Sequence, residues 1–452
     1  MLRLRVPLPM SRSEKHMKIG HASLVLVAYL GGGFLSAQDR PSSVFTPVSN
    51  EINSGLPSWL RFSGEERGRF ESITGEGFKL VDDQYLLNRL RLNLSIRVAP
   101  WLRFNFQAED SRVFGQNTVP APASQKDAMD LRLGYLEIGN PEGPVMLRAG
   151  RQGLDFGDGR LLADPNWSNV GKSFDAARLT LRHGGLKLDL FTAAMVKIDP
   201  VSFDEPAPGE HFDGAYGSLK VLPDSVIEPY VFWRMEHNYK SEEGKIGNLD
   251  EKTAGVRWAG ELPARFDFTA EMALQRGSWA GDRIASWMGH WVVGHKLNGG
   301  IHTPRVFVEY AYASGDAHAK DNTHGTFDSL FPSSHDKYGL TDLFCSSNIL
   351  HFRPGFQYVV RGGLTVGAAY NNYWLANRHD ALYVSAKAVA ASPSGAAGAH
   401  VGQEADVQAQ WVLFRVTQIN TGYGRLFPGE FLRRTTTGVP YNIVFLGVTQ
   451  KF

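Results

Sequence analysis

The stretch Arg89-Leu90-Arg91-Leu92-Asn93-Leu94-Ser95-Ile96-Arg97-Val98 puts an apolar residue at every second position and a polar one between. Successive side chains of a strand point to opposite faces, so this segment is a ribbon with one apolar and one charged face. Ala99-Pro100 breaks it, and Leu102-Arg-Phe-Asn-Phe-Gln-Ala-Glu109 resumes the same alternation. Further along, Arg265-Phe-Asp-Phe-Thr-Ala-Glu-Met-Ala-Leu274 and Arg305-Val-Phe-Val-Glu-Tyr-Ala-Tyr312 repeat it. A water-soluble sandwich alternates too, so the pattern alone leaves two architectures open.

The connections between strands decide. Segments of about 10 residues fit along the chain about eighteen times, and the links between them alternate in length. Short turns fall at Ala99-Pro100, 140–144, His183-Gly184, 222–225, Leu262-Pro263 and Arg361-Gly362, while long links fall at 112–128, 152–173, 197–211, 238–250, 315–346 and 377–402. Short turns on one side and long loops on the other describe an all-β, antiparallel up-and-down barrel in an outer membrane. Sixteen or twenty strands fit nearly as well. The expected barrel domain is 57–452.

Composition agrees with this reading. Hydrophobic residues make up 43% and aromatics 12% of the 452 residues, yet mean hydropathy is only −0.24, so apolar residues are plentiful but dispersed. The single Cys345 excludes a disulfide framework and a multi-cysteine metal site, and a net charge of +1 points to no nucleic-acid partner. Lys18, the apolar run from Ala22 to Leu30, three glycines and Phe-Leu-Ser-Ala37 have the order of a secretory leader, too short to span a bilayer. The expected leader is 1–37, with Met17 as the natural start and 1–16 either an over-long start or an extended basic region. A short periplasmic segment, 38–56, follows. The last strand, Tyr441 to Phe452, ends on an aromatic in register with Val444, Leu446 and Val448, and Gln450 interrupts that register. A terminal strand of this kind is what barrel-assembly machinery reads.

Trp59, Trp101, Trp233, Trp258, Trp374 and Trp411 lie near strand ends or on the apolar face, as interfacial girdles require. On the polar face, arginine dominates: Arg61, Arg89, Arg91, Arg97, Arg103, Arg132, Arg178, Arg182, Arg234, Arg265 and Arg305. Glu109, Asp130, Asp267, Glu271 and Glu309 interleave with them. Such a wall is either an ion-pair lattice or a basic ring that selects anions. Barrels of 16 to 18 strands leave an aqueous channel, so passage of solutes follows from size.

Several motifs together resemble the alginate export family of outer-membrane barrels. They are Arg148-Ala-Gly-Arg151-Gln, Trp167 and Asn169 before Phe174-Asp-Ala-Ala-Arg178, and Tyr312-Ala-Ser-Gly-Asp316 with Gly325 to Pro332 and His335. Gly402-Gln-Glu-Ala-Asp406 and Leu426-Phe-Pro-Gly429 complete them. The resemblance runs from about residue 57 to the C-terminus. It implies an 18-stranded monomeric porin passing an anionic uronate polymer through an arginine-lined constriction, with outer-membrane lipid and periplasmic secretion proteins as partners. Carried over residue by residue, the constriction is Arg61, Arg91 and Arg132. Asn420, Gly422 and Leu343 stand where the alginate exporter itself is basic, which puts alginate as cargo in question. The expected function is passive movement of anionic or sugar-like solutes, or export of an acidic exopolysaccharide. The alternatives are a general diffusion porin and a barrel hydrolase.

Other chemistries find little footing. Asp155-Phe-Gly157 lacks every companion of a kinase metal motif, and Gly31-Gly-Gly33 lacks the Lys-Ser/Thr of a phosphate loop. Asp155 and Asp158 do not have the spacing of a calcium loop, and the histidines form no helical zinc pair. No cofactor and no metal are called for. Ser333, Ser334, His335 and Asp336 cluster in one long loop and are the residues a hydrolase would use. The Gly-rich excursion after Arg148 places Arg151, Asp155, Asp158, Arg160 and Arg178 at the pore mouth, in a loop able to fold inward over the channel.

Overall fold

The computed structural model describes residues 47–452 apart from 118–120, 223, 242–243, 301, 319, 334 and 385–386. The expected leader therefore lies outside the described residues. Eighteen strands build one closed wall. In chain order they are β1 (Leu60–Thr74), β2 (Asp82–Ala99), β3 (Leu102–Phe114), β4 (Asp127–Gly139), β5 (Val145–Gln152), β6 (Phe174–His183), β7 (Leu186–Lys197), β8 (Glu210–Leu222) and β9 (Ser225–Lys240). The second half comprises β10 (Ile246–Leu262), β11 (Phe266–Trp279), β12 (Asp282–Lys296), β13 (Pro304–Ala313), β14 (Ile349–Val359), β15 (Leu364–Trp374), β16 (His400–Leu413), β17 (Thr417–Pro428) and β18 (Tyr441–Lys451). Each is antiparallel to its neighbours, and β18 returns to β1 from Thr74↔Asn442 to Glu65↔Lys451. Phe452 completes the seam by exchanging backbone hydrogen bonds with Gly64 at 2.7 and 2.9 Å. Closure leaves no open edge, which hydrocarbon requires because no water can satisfy a free amide there.

The two faces are inverted relative to a soluble protein. Val231, Val256, Met272, Val293, Val308, Val407 and Leu446 are exposed on the outer wall, whereas Arg67, Arg89, Glu109, Arg257, Glu271, Glu309, Arg353 and Glu404 are buried inside. Trp59, Trp101, Trp233, Trp258 and Trp411 face outward, and Trp374 is half-buried. Among the described residues no helix is long and apolar enough to cross a membrane. Helix α1 (Pro47–Ser54) occupies part of the 38–56 segment. Its Asn53 side chain mimics a strand partner, accepting from Phe62 N and donating to Phe62 O, both at 2.8 Å.

Strand ends differ most from expectation on the extracellular side. The first strand, expected near 58–69, continues as β1 to Thr74, with Ile73 buried inside, so above Phe70 the apolar phase has changed faces. One expected inward arginine is misplaced: Arg265 belongs to the one-turn helix Pro263–Arg265 with φ 67° and is exposed in a periplasmic turn. Proline at the first position of that turn displaces the chain from the strand ladder.

Candidate functional site

On β1 and β2 the register sets Glu65 opposite Arg91 and Arg67 opposite Arg89. Two guanidiniums facing each other across a ladder repel unless an acceptor lies between them. The loop 153–173, between β5 and β6, brings that acceptor into the lumen. Asn166 O accepts from Arg67 at 2.6 Å and from Arg89 at 3.1 Å. Ser168 O accepts from the same pair at 3.0 and 3.1 Å, and Asn166 Oδ1 accepts from Arg89 and Arg91, both at 2.7 Å. Arg69 donates to Trp167 O and lies 3.8 Å from the Trp167 ring centre, a stacked cation. Asn169 closes the grip: its Nδ2 donates to Asn88 O, Arg112 O and Gln125 O, and its Oδ1 accepts from Arg67.

Carboxylates neutralise most of this wall but not all of it. Glu71 pairs with Arg69 at 2.6 Å, Glu65 with Arg89 at 2.7 Å and Glu109 with Arg91 at 2.5 Å. Arg132 pairs with Asp164 of the loop and approaches Glu109 at 3.6 Å. Arg67 is 2% exposed, and no carboxylate pairs with it among the described residues. Its hydrogen bonds go to three loop oxygens. Gly171 makes the approach possible, because a Cβ there would stand 2.5 Å from Arg132 Nε.

The rest of the loop crosses the barrel. Phe156 stacks on Tyr216 and Phe191, with ring centres 4.6 and 5.7 Å away, and Arg178 covers it at 4.8 Å. Arg160 pairs with Glu309, midway along β13, and Glu309 also meets His290 at 3.0 Å and Arg353 at 3.6 Å. A second loop, 314–348 between β13 and β14, lies against the first. Ala163 N donates to Phe331 O and Phe331 N to Leu161 O. Lys172 donates to Pro332 O at 2.6 Å, and the Trp167 and His335 rings stack with centres 3.5 Å apart. This second loop is itself held by Arg353 on Asp336, Arg234 on Asp328, and Thr341 on Glu404. Burial alone raises the Asp158 carboxyl, but Lys337 and Arg160 outweigh it and hold the group well below the usual range. Asp342 is pushed up by burial, against the pull of His335 at 2.8 Å.

Of the residues expected to constrict the pore, Arg91 and Arg132 meet at Glu109. Arg61 stands apart, near the base of the strand: its guanidinium donates to Pro57 O and Leu60 O. Four residues separate it from Glu65, about 13 Å along a strand. Of the residues expected at the mouth, Arg151 is at the rim on Asp175 at 2.9 Å, and Asp155 is exposed between the buried Leu154 and Phe156. Asp158 and Arg160 lie inside the lumen, and Arg178 is on β6, paired with Asp189 at 2.9 Å. Arg67, Arg69, Arg257 and Arg353 were not singled out from sequence, although Arg67 and Arg69 share the odd phase of Arg61 on β1. Gly422 faces the lumen, where a Cβ would meet Phe445 at 2.6 Å and Leu340 at 3.3 Å, so the second loop fills the space an arginine would need.

The hydrolase cluster is divided among other partners. Asp336 serves Arg353 and His335 serves Asp342, no hydrogen bond joins Ser333 to His335 among the described residues, and Ser334 lies outside them. Asp158 gathers with Glu271 and His290, but Arg160 and Lys337 already supply the positive charge a metal would bring.

A closed, charge-lined barrel of 18 strands with loops folded into its lumen is an outer-membrane channel. The family model for alginate export matches residues 58–443, and the chain belongs to that family. Solved structures share the fold. The outer membrane protein OpdK of Pseudomonas aeruginosa aligns with TM-score 0.57 and 13% identity over 86% of this chain and 98% of its own. OpdQ of the same organism gives 0.57 and 13% over 87% and 97%, and OccK5 (OpdH) gives 0.57 and 12% over 87% and 98%. No curated protein matches the chain in sequence.

Proposed function

We propose that this barrel is a passive, anion-selective channel for carboxylated sugars or an acidic polysaccharide, with Arg67, Arg69, Arg89, Arg91 and Arg132 as the selecting wall. One observation carries the reading: Arg67 is buried with only neutral loop oxygens as acceptors. Guanidinium forks match carboxylates bidentately, so the oxygens of Asn166 and Ser168 occupy positions an anionic cargo can take. In the structure described the loop rests on the wall, and passage requires cargo to displace it. Arg61 then serves as a basic step at the periplasmic end rather than as part of the constriction. Export or uptake is set by the gradient across such a channel. The protein acts as a monomer whose closing strand, β18, is the segment assembly machinery reads.

Planar-bilayer reversal potentials in a KCl gradient test this. The wild type should prefer chloride, and Arg67→Gln with Arg91→Gln should lower that preference by about twofold or more while raising mean conductance, since two of the three arginines that anchor Asn166 are weakened. A cation preference, or a double variant indistinguishable from wild type, overturns the basic-wall reading and leaves a general diffusion porin.

A further inference from the structure

Just above the arginine wall, at the extracellular rim, three carboxylates converge. Asp127 and Asp130 sit at the start of β4, and Asp204 lies in the loop 198–209 between β7 and β8. On a regular strand, residues three apart point to opposite faces. Here the ladder between β3 and β4 shifts register between Glu109 and Ser111, and Met129 takes φ 47°, so Ala128 and Met129 both face outward while Asp127 and Asp130 are both buried. The bulge puts two acids on one side.

Asp130 Oδ2 accepts from Asp204 N at 2.6 Å, and Arg151 holds Asp204 O at 3.0 Å while its charge is spent on Asp175. Asp127 is the anomaly. It is 3% exposed, and among the described residues its Oδ1 has no hydrogen-bond partner and no salt bridge reaches it. One oxygen from each of the three residues lies within 4.8 Å of the others. Oxygens bound to one calcium ion at about 2.4 Å stand no more than about 4.8 Å apart, so the three can share one ion, and calcium tolerates an irregular all-oxygen site whereas magnesium demands near-ideal octahedral geometry.

We infer that Asp127, Asp130 and Asp204 form a divalent-cation site of the calcium type that fastens the loop 198–209 to β4. The ion supplies the counter-charge that three adjoining carboxylates lack and gives Asp127 its partner. Ligands come from two distant segments and none is an arginine of the wall or its carboxylate partner, so calcium binding can be read separately from anion selectivity.

The test uses full-length protein refolded in detergent free of lipopolysaccharide, titrated calorimetrically with CaCl2 alone. The wild type should bind one ion in the range of extracellular calcium modules, about 0.1 to 1 mM. Asp127→Asn with Asp204→Asn should weaken binding at least about tenfold. Calcium should also slow trypsin cleavage after Lys197, at the foot of the same loop, in the wild type only. Asp127→Asn removes no hydrogen bond, so the single variant should refold, and in EGTA it should melt no lower than wild type because one repelling charge is gone. No binding up to about 10 mM, well above that range, or equal binding by wild type and double variant, overturns the site.

Discussion

Arg67 and Lys172 show how single side chains set the state of the lumen. Arg67 is held by three oxygens of the loop and, among the described residues, by no carboxylate, so its charge is available to whatever displaces that loop. Lys172, at the other end of the same loop, donates to Pro332 O at 2.6 Å and ties the two inward loops together. Burial pushes its ammonium down to about 8 from 10.5, against a weaker pull from Asp164. Between those values the undocked lysine keeps its proton and the docked one has lost it. Docking therefore strengthens as pH rises through that window. A neutral amine still donates to Pro332 O, so the contact survives. Single-channel current noise and limited proteolysis of the loop should both fall from pH 7 to pH 10 in wild type, and the fall should vanish in Lys172→Met. An unchanged slope in the variant would assign the effect to another group.

At the scale of elements, strands and loops were unequally readable. Lipid imposes a period of two on every spanning segment, so β6 falls where the alternation places it, at Phe174–His183. Above the bilayer that constraint ends, which is why β1 outran its expected end and why the bulge at Met129 left no trace in the pattern. The path of the loops was hidden for a different reason. Arg67 and Asn166 are 99 residues apart, and nothing local in either segment indicates that a carbonyl of one satisfies a guanidinium of the other. Trp167 and Asn169 stood out only as a motif. Their contacts show the purpose: one ring stacks between Arg69 and His335, and one amide spans three strand or loop carbonyls. The same packing explains Gly422, whose missing side chain makes room for Leu340. Deleting residues 164–169 removes Asp164, Asn166, Trp167 and Asn169 together and leaves β5 and β6 intact. Conductance in planar bilayers should rise about two- to fivefold, since constrictions set pore resistance. No change would mean that the loop 314–348 closes the lumen alone.

The whole molecule is an inside-out protein, with its polar network in the lumen and its apolar surface toward lipid. Adjacent residues of one strand therefore have opposite duties, and β13 offers a direct comparison. Val308 is 46% exposed on the outer wall, midway along the strand, while Glu309 is fully buried on the inner side beneath Arg160, Arg353 and His290. An arginine at the bilayer midplane of a barrel costs about 2–4 kcal/mol, so Val308→Arg should lower the urea stability of the protein in lipid vesicles by that amount and leave channel currents of the folded fraction unaltered. Glu309→Gln changes one atom and no lipid contact. It takes from the buried Arg160 its nearest carboxylate, leaving Asp158 at 3.4 Å, while Arg353 keeps Asp336 at 2.7 Å; losing one partner of a buried pair costs about 3–5 kcal/mol, and that loss falls on the docking of Arg160 rather than on the wall. The expected result is near-normal barrel stability with a loop that leaves the lumen more often, seen as higher and noisier conductance. The two variants thus separate wall from plug. If Glu309→Gln unfolded the barrel as Val308→Arg does, the inner network would be part of the wall's own stability, and the loops could not act as a movable closure.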